Sequence, residues 1–239
     1  MPRASIMSLA AALAGSISLA ACGGGSARTM PTTVNYNLQA GITDMVAHGL
    51  TANVTLSGTV LVNGASTQVT GTGTYTRAAA VNTTFNGTAA LAQAVNVAGT
   101  VSAAGQSSPY STMVTEYYAA SNNAFLGEND SSEYDVAQSP FEFPTMVVGG
   151  SAGTLGTVSR YTDSTMSVSL GTAQVSYSVM APVDPGSPIG VAVTNKIFNT
   201  QNALVETDVT NYTMTSSNVI SFASATAQNQ SGTLTLTAH

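Results

Sequence analysis

The chain has 239 residues, 44 % hydrophobic and only 7 % charged. That is enough apolar content for a core, with a surface that must be made polar by Ser, Thr, Asn and Gln rather than by charge. Five Lys and Arg stand against eleven Asp and Glu, which excludes the clustered basic patch needed for sequence-independent nucleic-acid binding, and a single cysteine, Cys22, excludes an intrachain disulfide.

Arg3 supplies a short basic region, and residues 6–21 form an apolar run of small and aliphatic side chains. A comfortable membrane span needs roughly 18 or more apolar residues, so residues 1–21 read as a signal peptide. The run ends in Leu19-Ala20-Ala21-Cys22, followed by Gly23-Gly24-Gly25-Ser26. This stretch resembles the lipobox of bacterial lipoproteins. The resemblance implies a diacylglyceryl group on the Cys22 thiol, cleavage before Cys22, acylation of the new amine, and attachment to the membrane through this covalent lipid. Each buried methylene is worth about 0.8 kcal/mol, so two or three chains anchor firmly where one does not. Gly23 in place of an Asp implies the outer membrane, facing the periplasm or the cell surface. The alternative is an ordinary secretory signal with a coincidental cysteine. Residues 22–33 then form the lipidated cysteine and a flexible tether with an end-to-end distance of about 18 Å. Beyond it the chain is similar only in style to uncharacterised Gram-negative lipoproteins with a Thr/Ser/Gly-rich β domain, and that similarity transfers no function.

Leu38, Ile42, Met45 and Val46 follow helical spacing, with Asn37 as N-cap, Gly49 just past the end and Leu50 in position for the accompanying contact. Val54, Leu56, Gly58, Val60 and Val62 then recur every second residue up to Asn63-Gly64, the strongest short hairpin signal. A turn there pairs Val62 with Ala65, Val60 with Thr67, Gly58 with Val69, Leu56 with Gly71 and Val54 with Gly73. One face receives the aliphatic residues and glycines, the other Thr70, Thr72, Thr74 and Thr76. Further on, Ser108-Pro109, Val114-Thr115 and Asn123-Ala124 recur as Ser187-Pro188, Val193-Thr194 and Asn202-Ala203, at a constant offset of about 79 residues. Each copy reads as a three-strand meander with a tight turn at the Asn. The segment 141–144 is the joint between a first unit, 34–144, and a second, 145–239, which pack as one domain or two. The fold expected is all-β, built of antiparallel meanders in a sandwich or barrel-like sheet, with one short N-terminal helix.

Gly149-Gly150-Ser151-Ala152-Gly153 matches the G-x-S-x-G nucleophile elbow, which needs a strand turning into a helix and a histidine partner. The residues after Ser151 alternate like a strand, and only His48 and His239 are on offer, so a glycine-rich loop is favoured over a serine hydrolase. Glu128, Asp130, Glu133 and Asp135 form the densest acidic run. They are a weak calcium candidate, since the EF-hand spacing is missing, and a solvated strand edge is the favoured reading. Two isolated histidines do not make a zinc site, and no cofactor motif is visible. The Thr70–Thr76 row suits an ordinary exposed strand face. Tyr110, Tyr117, Tyr118, Tyr134, Tyr161, Tyr177 and Tyr212 suit either a sheet core or a pocket mouth. The functional expectation is a non-enzymatic, lipid-anchored interaction or structural module. The alternative is a carrier of an apolar or amphipathic small molecule, which requires a curved sheet around an apolar cavity of roughly several hundred Å³.

Overall fold

The computed structural model describes residues 34–182, 184 and 186–239. The signal segment, Cys22 and the tether lie outside the described residues. Helix α1 (Leu38–His48) is followed by β1 (Leu50–Val62), β2 (Ala65–Arg77), β3 (Val81–Phe85), β4 (Thr88–Ala103), β5 (Gln106–Ala119), β6 (Phe125–Asn129) and β7 (Tyr134–Phe141). After a connection come β8 (Ala152–Tyr161), β9 (Ser169–Met180), β10 (Ile189–Phe198), β11 (Leu204–Met214), β12 (Ile220–Asn229) and β13 (Gly232–Ala238).

The sheet is antiparallel throughout and closes on itself. β1 pairs with both β2 and β13, and from β13 the ladder runs back strand by strand to β4. Residues Val69 to Arg77 of β2 then pair with Val95 to Ala103 of β4, sealing a twelve-strand barrel. β3 lies outside this count, paired with the first residues of β4 alone. Closure gives every barrel strand a partner on both sides, the β7–β8 pairing being confined to Tyr134–Ala137 and Val158–Tyr161. The pairing of Tyr134–Ala137 with Val158–Tyr161 carries the sheet across the 141–144 joint, so one sheet runs through both units.

Local sequence explains the pieces. Asn63 and Gly64 take φ of 53° and 80°, the two positive values that the favoured hairpin turn requires. The β1–β2 register is the one the turn dictates, Val54 opposite Gly73 through Val62 opposite Ala65. The two copies of the repeat become β4–β5–β6 and β9–β10–β11, and Asn123 and Asn202 occupy equivalent left-handed turns at φ 56° and 59°. In α1, the Asn37 side chain accepts from the Ala40 N–H, and the Gly49 N–H donates to the Met45 carbonyl.

α1 lies across one end of the barrel. Its stripe of Leu38, Ile42, Met45 and Val46 is buried in the same core as Ile189, Met214, Ile220 and Phe222. Hydrogen bonds tie it to loops around the rim: Gln39 Nε2 donates to the Asn122 carbonyl (2.7 Å), Asn123 Nδ2 to Thr43 Oγ1 (3.2 Å) and the Asn37 N–H to Asn218 Oδ1 (3.1 Å). Along the strands, Val54, Leu56, Val69, Tyr75, Val95, Val97, Val175, Val191 and Leu236 face inward. Thr55, Ser57, Thr70, Thr72, Gln174, Thr235 and Thr237 stand on the opposite parity, facing out. This is the reverse of a membrane-spanning barrel, whose outer band is apolar.

The seam between β2 and β4 depends on glycine. Gly73 and Gly99 face one another across it, and a Cβ on Gly99 would lie 2.1 Å from the Thr72 carbonyl oxygen and 2.6 Å from the Gly73 Cα. Both obstacles are backbone, so the strands must part. Gly99→Ala is expected to destabilise the barrel by about 1–3 kcal/mol. Thermal denaturation followed by circular dichroism checks this, and an unchanged Tm would show that the seam has slack.

Candidate functional site

Charged residues stand on the inward parity of the barrel. On β5, Val114, Glu116 and Tyr118 point in, and the register sets Glu116 beside Gln93 of β4 and beside Glu128 of β6. Glu128 in turn lies opposite Asp135 of β7, and Asp135 opposite Arg160 of β8. Neighbouring strands are about 4.8 Å apart, so three carboxyls and a guanidinium follow one another around the wall. Across the lumen, Asn195 of β10 faces Asp208 of β11 in register.

Adjacent carboxylates repel, and two arginines offset part of the repulsion. Arg77 forms a two-pronged pair with Glu116, Nη1 to Oε2 and Nη2 to Oε1, both at 2.6 Å. It also donates to Gln93 Oε1 (3.0 Å) and Tyr75 Oη (2.7 Å), while Tyr118 donates its hydroxyl proton to Glu116. Gln93, fully buried, passes its amide protons to the carbonyls of Met45 and Ala78, which links this cluster to α1. Arg160 pairs with Glu133 and reaches Asp135 Oδ2 at 3.6 Å.

The protonation equilibria follow from burial. It raises the Glu128 carboxyl well above the usual range, reinforced by the charges of Asp135, Glu116 and Glu133. It pushes Asp135 up to about 7, with Arg160 pulling the other way and Glu133 and Asp130 adding to the rise. Burial alone would weaken the Arg77 cation, but Glu116 together with Tyr212, Tyr75 and Tyr118 outweighs it and holds the guanidinium charged. Tyr75 and Tyr118 stay phenolic, both raised chiefly by burial.

Behind the belt lies a cavity of about 140 Å³. Phe125, Phe141, Phe143, Val95 and Val175 form its apolar wall; Arg77, Glu116, Glu128, Asp135, Asn195 and Asp208 form its polar one. A smaller polar space of about 30 Å³ shares Glu128, Asp135, Asn195 and Asp208 with it and leads to Asp130 and Glu133 in the β6–β7 loop, at the barrel end away from α1. Two acceptors on these walls, Asp135 Oδ1 and Asn195 Oδ1, are buried with no hydrogen-bond partner. The cavity is smaller than the several hundred Å³ expected of an apolar carrier, because aromatic rings from β6, β7 and the following connection fill part of the lumen. A cavity of about 150 Å³ holds a benzene ring, which sets the scale of ligand this one can take.

The acidic run of the sequence is therefore not a solvated strand edge. Asp135 is only 5 % exposed; Glu128 and Asp135 face the lumen because β6 and β7 are interior strands of a closed sheet. Asp130 shapes the loop between them, its Oδ1 accepting the N–H groups of Ser132 and Glu133. Among the described residues no three His, Cys, Asp or Glu side chains converge as a bound metal requires. Ser151 precedes strand β8, so the strand-to-helix elbow does not form, and its Oγ accepts the Val148 N–H at 3.0 Å. His48 bonds to Asp44 on the exposed side of α1, and the His239 N–H donates to the Asn53 carbonyl. Tyr118 and Tyr212 line the cavity, whereas Tyr117 and Tyr134 stack on Phe85 in a separate cluster.

Arg77, Gln93, Glu116, Arg160, Asn195 and Asp208 belong to the site without having been singled out from the sequence. Their signal is parity: Tyr75-x-Arg77, Val114-x-Glu116-x-Tyr118, Val158-x-Arg160 and Val193-x-Asn195-x-Ile197 each put a polar group in an apolar, inward-facing series. Comparison with family models, curated proteins and solved structures finds no match to this chain.

Proposed function

We propose that this chain is a non-enzymatic, lipid-anchored protein of the cell envelope, held at the outer membrane through Cys22, whose barrel carries a small amphipathic molecule in its lumen. The observation that carries the reading is the cavity: an aromatic wall facing a wall of buried carboxyls, inside a barrel whose outer face is hydroxylated. A module serving only as a spacer gains nothing from buried charge, which costs several kcal/mol per ion unless well paired. The outward threonines and serines suit a barrel standing in water on a tether of about 18 Å.

The anchor is tested by expressing the full chain with Cys22→Ser, or with the wild-type cysteine under globomycin. The expected result is transfer from the membrane to the soluble fraction in the first case and an unprocessed, heavier species in the second. Unchanged partition and mass in both would remove the lipid anchor from the proposal.

A further inference from the structure

We infer that the lumen binds a small organic ammonium ion, its charge against Asp135 and Glu128 and its apolar part against Phe125 and Phe141. This deepens the carrier reading and rests on it. The first ground is the distribution of charge. Of the eleven acidic residues in the chain, Glu116, Glu128, Asp135 and Asp208 line the main cavity, and Asp130 and Glu133 line its continuation. Among the described residues lining these two spaces, the cations are Arg77 and Arg160; the ammonium ion is assigned to Asp135 and Glu128 alone. Both guanidinium forks are already engaged, Arg77 on Glu116 and Arg160 on Glu133 and Asp135 Oδ2.

The second ground is the kind of group left over. Asp135 is 95 % buried, and its Oδ1 is without a partner; Asn195 Oδ1, on the same walls, is also without one. Both are acceptors. A buried acceptor without a donor is unfavourable, so the occupant that suits this site brings N–H groups. An ammonium brings three and a positive charge with them.

The third ground separates an organic cation from a metal ion. No three carboxylates converge among the described residues, so the negative charge is spread along a wall rather than focused on a point. Aromatic faces stand beside that wall: Tyr118 and Phe125 pack edge to face at 5.9 Å, and Phe125 stacks on Phe141 at 5.1 Å. Ammonium groups are attracted to such faces, and the rings accept the carbon skeleton. A cavity of about 140 Å³ limits that skeleton to about one ring.

The test uses the full chain, purified in detergent, and three one-ring probes: benzylamine, benzyl alcohol and benzoate. Calorimetric titration at pH 7.5 is expected to give benzylamine the tightest binding, at least about tenfold over benzyl alcohol, with benzoate excluded. Asp135→Asn and Glu128→Gln, each checked for a native circular dichroism spectrum, are expected to weaken benzylamine about tenfold and benzyl alcohol by much less. Either variant suffices if the other does not fold. Equal binding of benzylamine and benzyl alcohol, or variants indifferent to the amine, would overturn the ammonium assignment while leaving an apolar carrier standing. Binding of calcium chloride at the same carboxyls in preference to benzylamine would overturn it in favour of a metal. Failure of all three probes would overturn the carrier reading as well.

Discussion

Arg77→Met will destabilise the barrel by about 3–5 kcal/mol, because it leaves the Glu116 carboxylate buried without its cation. Arg77 is 8 % exposed and Glu116 6 %, and the two-pronged pair between them is the closest charge contact in the lumen on the α1 side. The loss extends beyond the pair. Gln93 Oε1 loses its donor, and Gln93 is the residue whose amide holds the Met45 carbonyl at the end of α1. For a domain of this size each kcal/mol shifts Tm by about 2–4 °C, so a fall of about 6–20 °C is expected in a thermal melt. Arg77→Met combined with Glu116→Leu removes both charges, and the pair of substitutions is expected to recover most of the loss. A single variant that costs less than about 1 kcal/mol would mean that water reaches Glu116 and that the lumen is wetter than the packing of Tyr75 and Tyr118 around it implies.

Stability is expected to fall as pH rises from about 4 to about 7, opposite to the usual behaviour of a paired carboxylate. The sign follows from Asp135. Its unfolded value is the ordinary one of about 4, whereas in the folded chain burial pushes it up to about 7, against Arg160. Across that window the folded state keeps a proton that the unfolded state has released, so the slope of stability against pH is negative. The contribution is fully present below about pH 4 and is lost by the time Asp135 ionises. Glu128, also raised by burial and by its acidic neighbours, acts in the same direction. The groups facing this pair from other strands are Arg77, Glu116, Arg160 and Asp208, with Asp130 and Glu133 in the loop. Asp163, held below the ordinary range by Thr165, has the opposite sign and acts only at lower pH. The expected loss is about 2–4 kcal/mol, read as a Tm lower at pH 8 than at pH 5. Asp135→Asn is expected to flatten this profile and to melt higher than the wild type at pH 8, because Arg160 retains Glu133. A Tm that rises between pH 5 and 8 in the wild type would contradict the burial of these carboxyls.

These two predictions concern the same feature from its two sides. The lumen stores unfavourable electrostatics at Glu128 and Asp135, and the Arg77–Glu116 pair holds the neighbouring wall in place while it does so. A cation entering beside Asp135 relieves the first without disturbing the second. Binding and stability are thereby linked: occupancy by an ammonium ion stabilises the folded chain most where Asp135 is ionised.

Much of this architecture is written locally. Asn63-Gly64 forces two positive φ values, and the strand period then fixes which face of β1 and β2 is buried. The spacing of Leu38, Ile42, Met45 and Val46 between Asn37 and Gly49 defines α1 to the residue. The 79-residue repeat marks two meanders, and its two asparagines take the same backbone conformation. Each of these depends on residues near one another in the chain, where propensity, capping and period act without help from the rest of the molecule.

The site was legible only in fragments. Glu128 and Asp135 stand out as part of an acidic run, yet in sequence that run reads as solvent-facing, because charge is normally exposed. Glu116, Arg77 and Arg160 lie in otherwise apolar alternations, where nothing local says whether the inward face meets a core or a cavity. The partners of each are 25 to 39 residues away: Arg77 with Glu116, Arg160 with Glu133 and with Asp135.

Local residue patterns account for the β character, the hairpin register, the capped helix, the repeated meander and the poverty of surface charge. The closure of β2 on β4 emerges only in the folded chain, because that pairing joins strands not consecutive in sequence and rests on the close approach that Gly73 and Gly99 permit. Closure makes one face of every barrel strand an interior. It turns scattered acids on β5, β6, β7 and β11 into a single buried wall, and it converts a local alternation of side chains into a cavity with a charge preference.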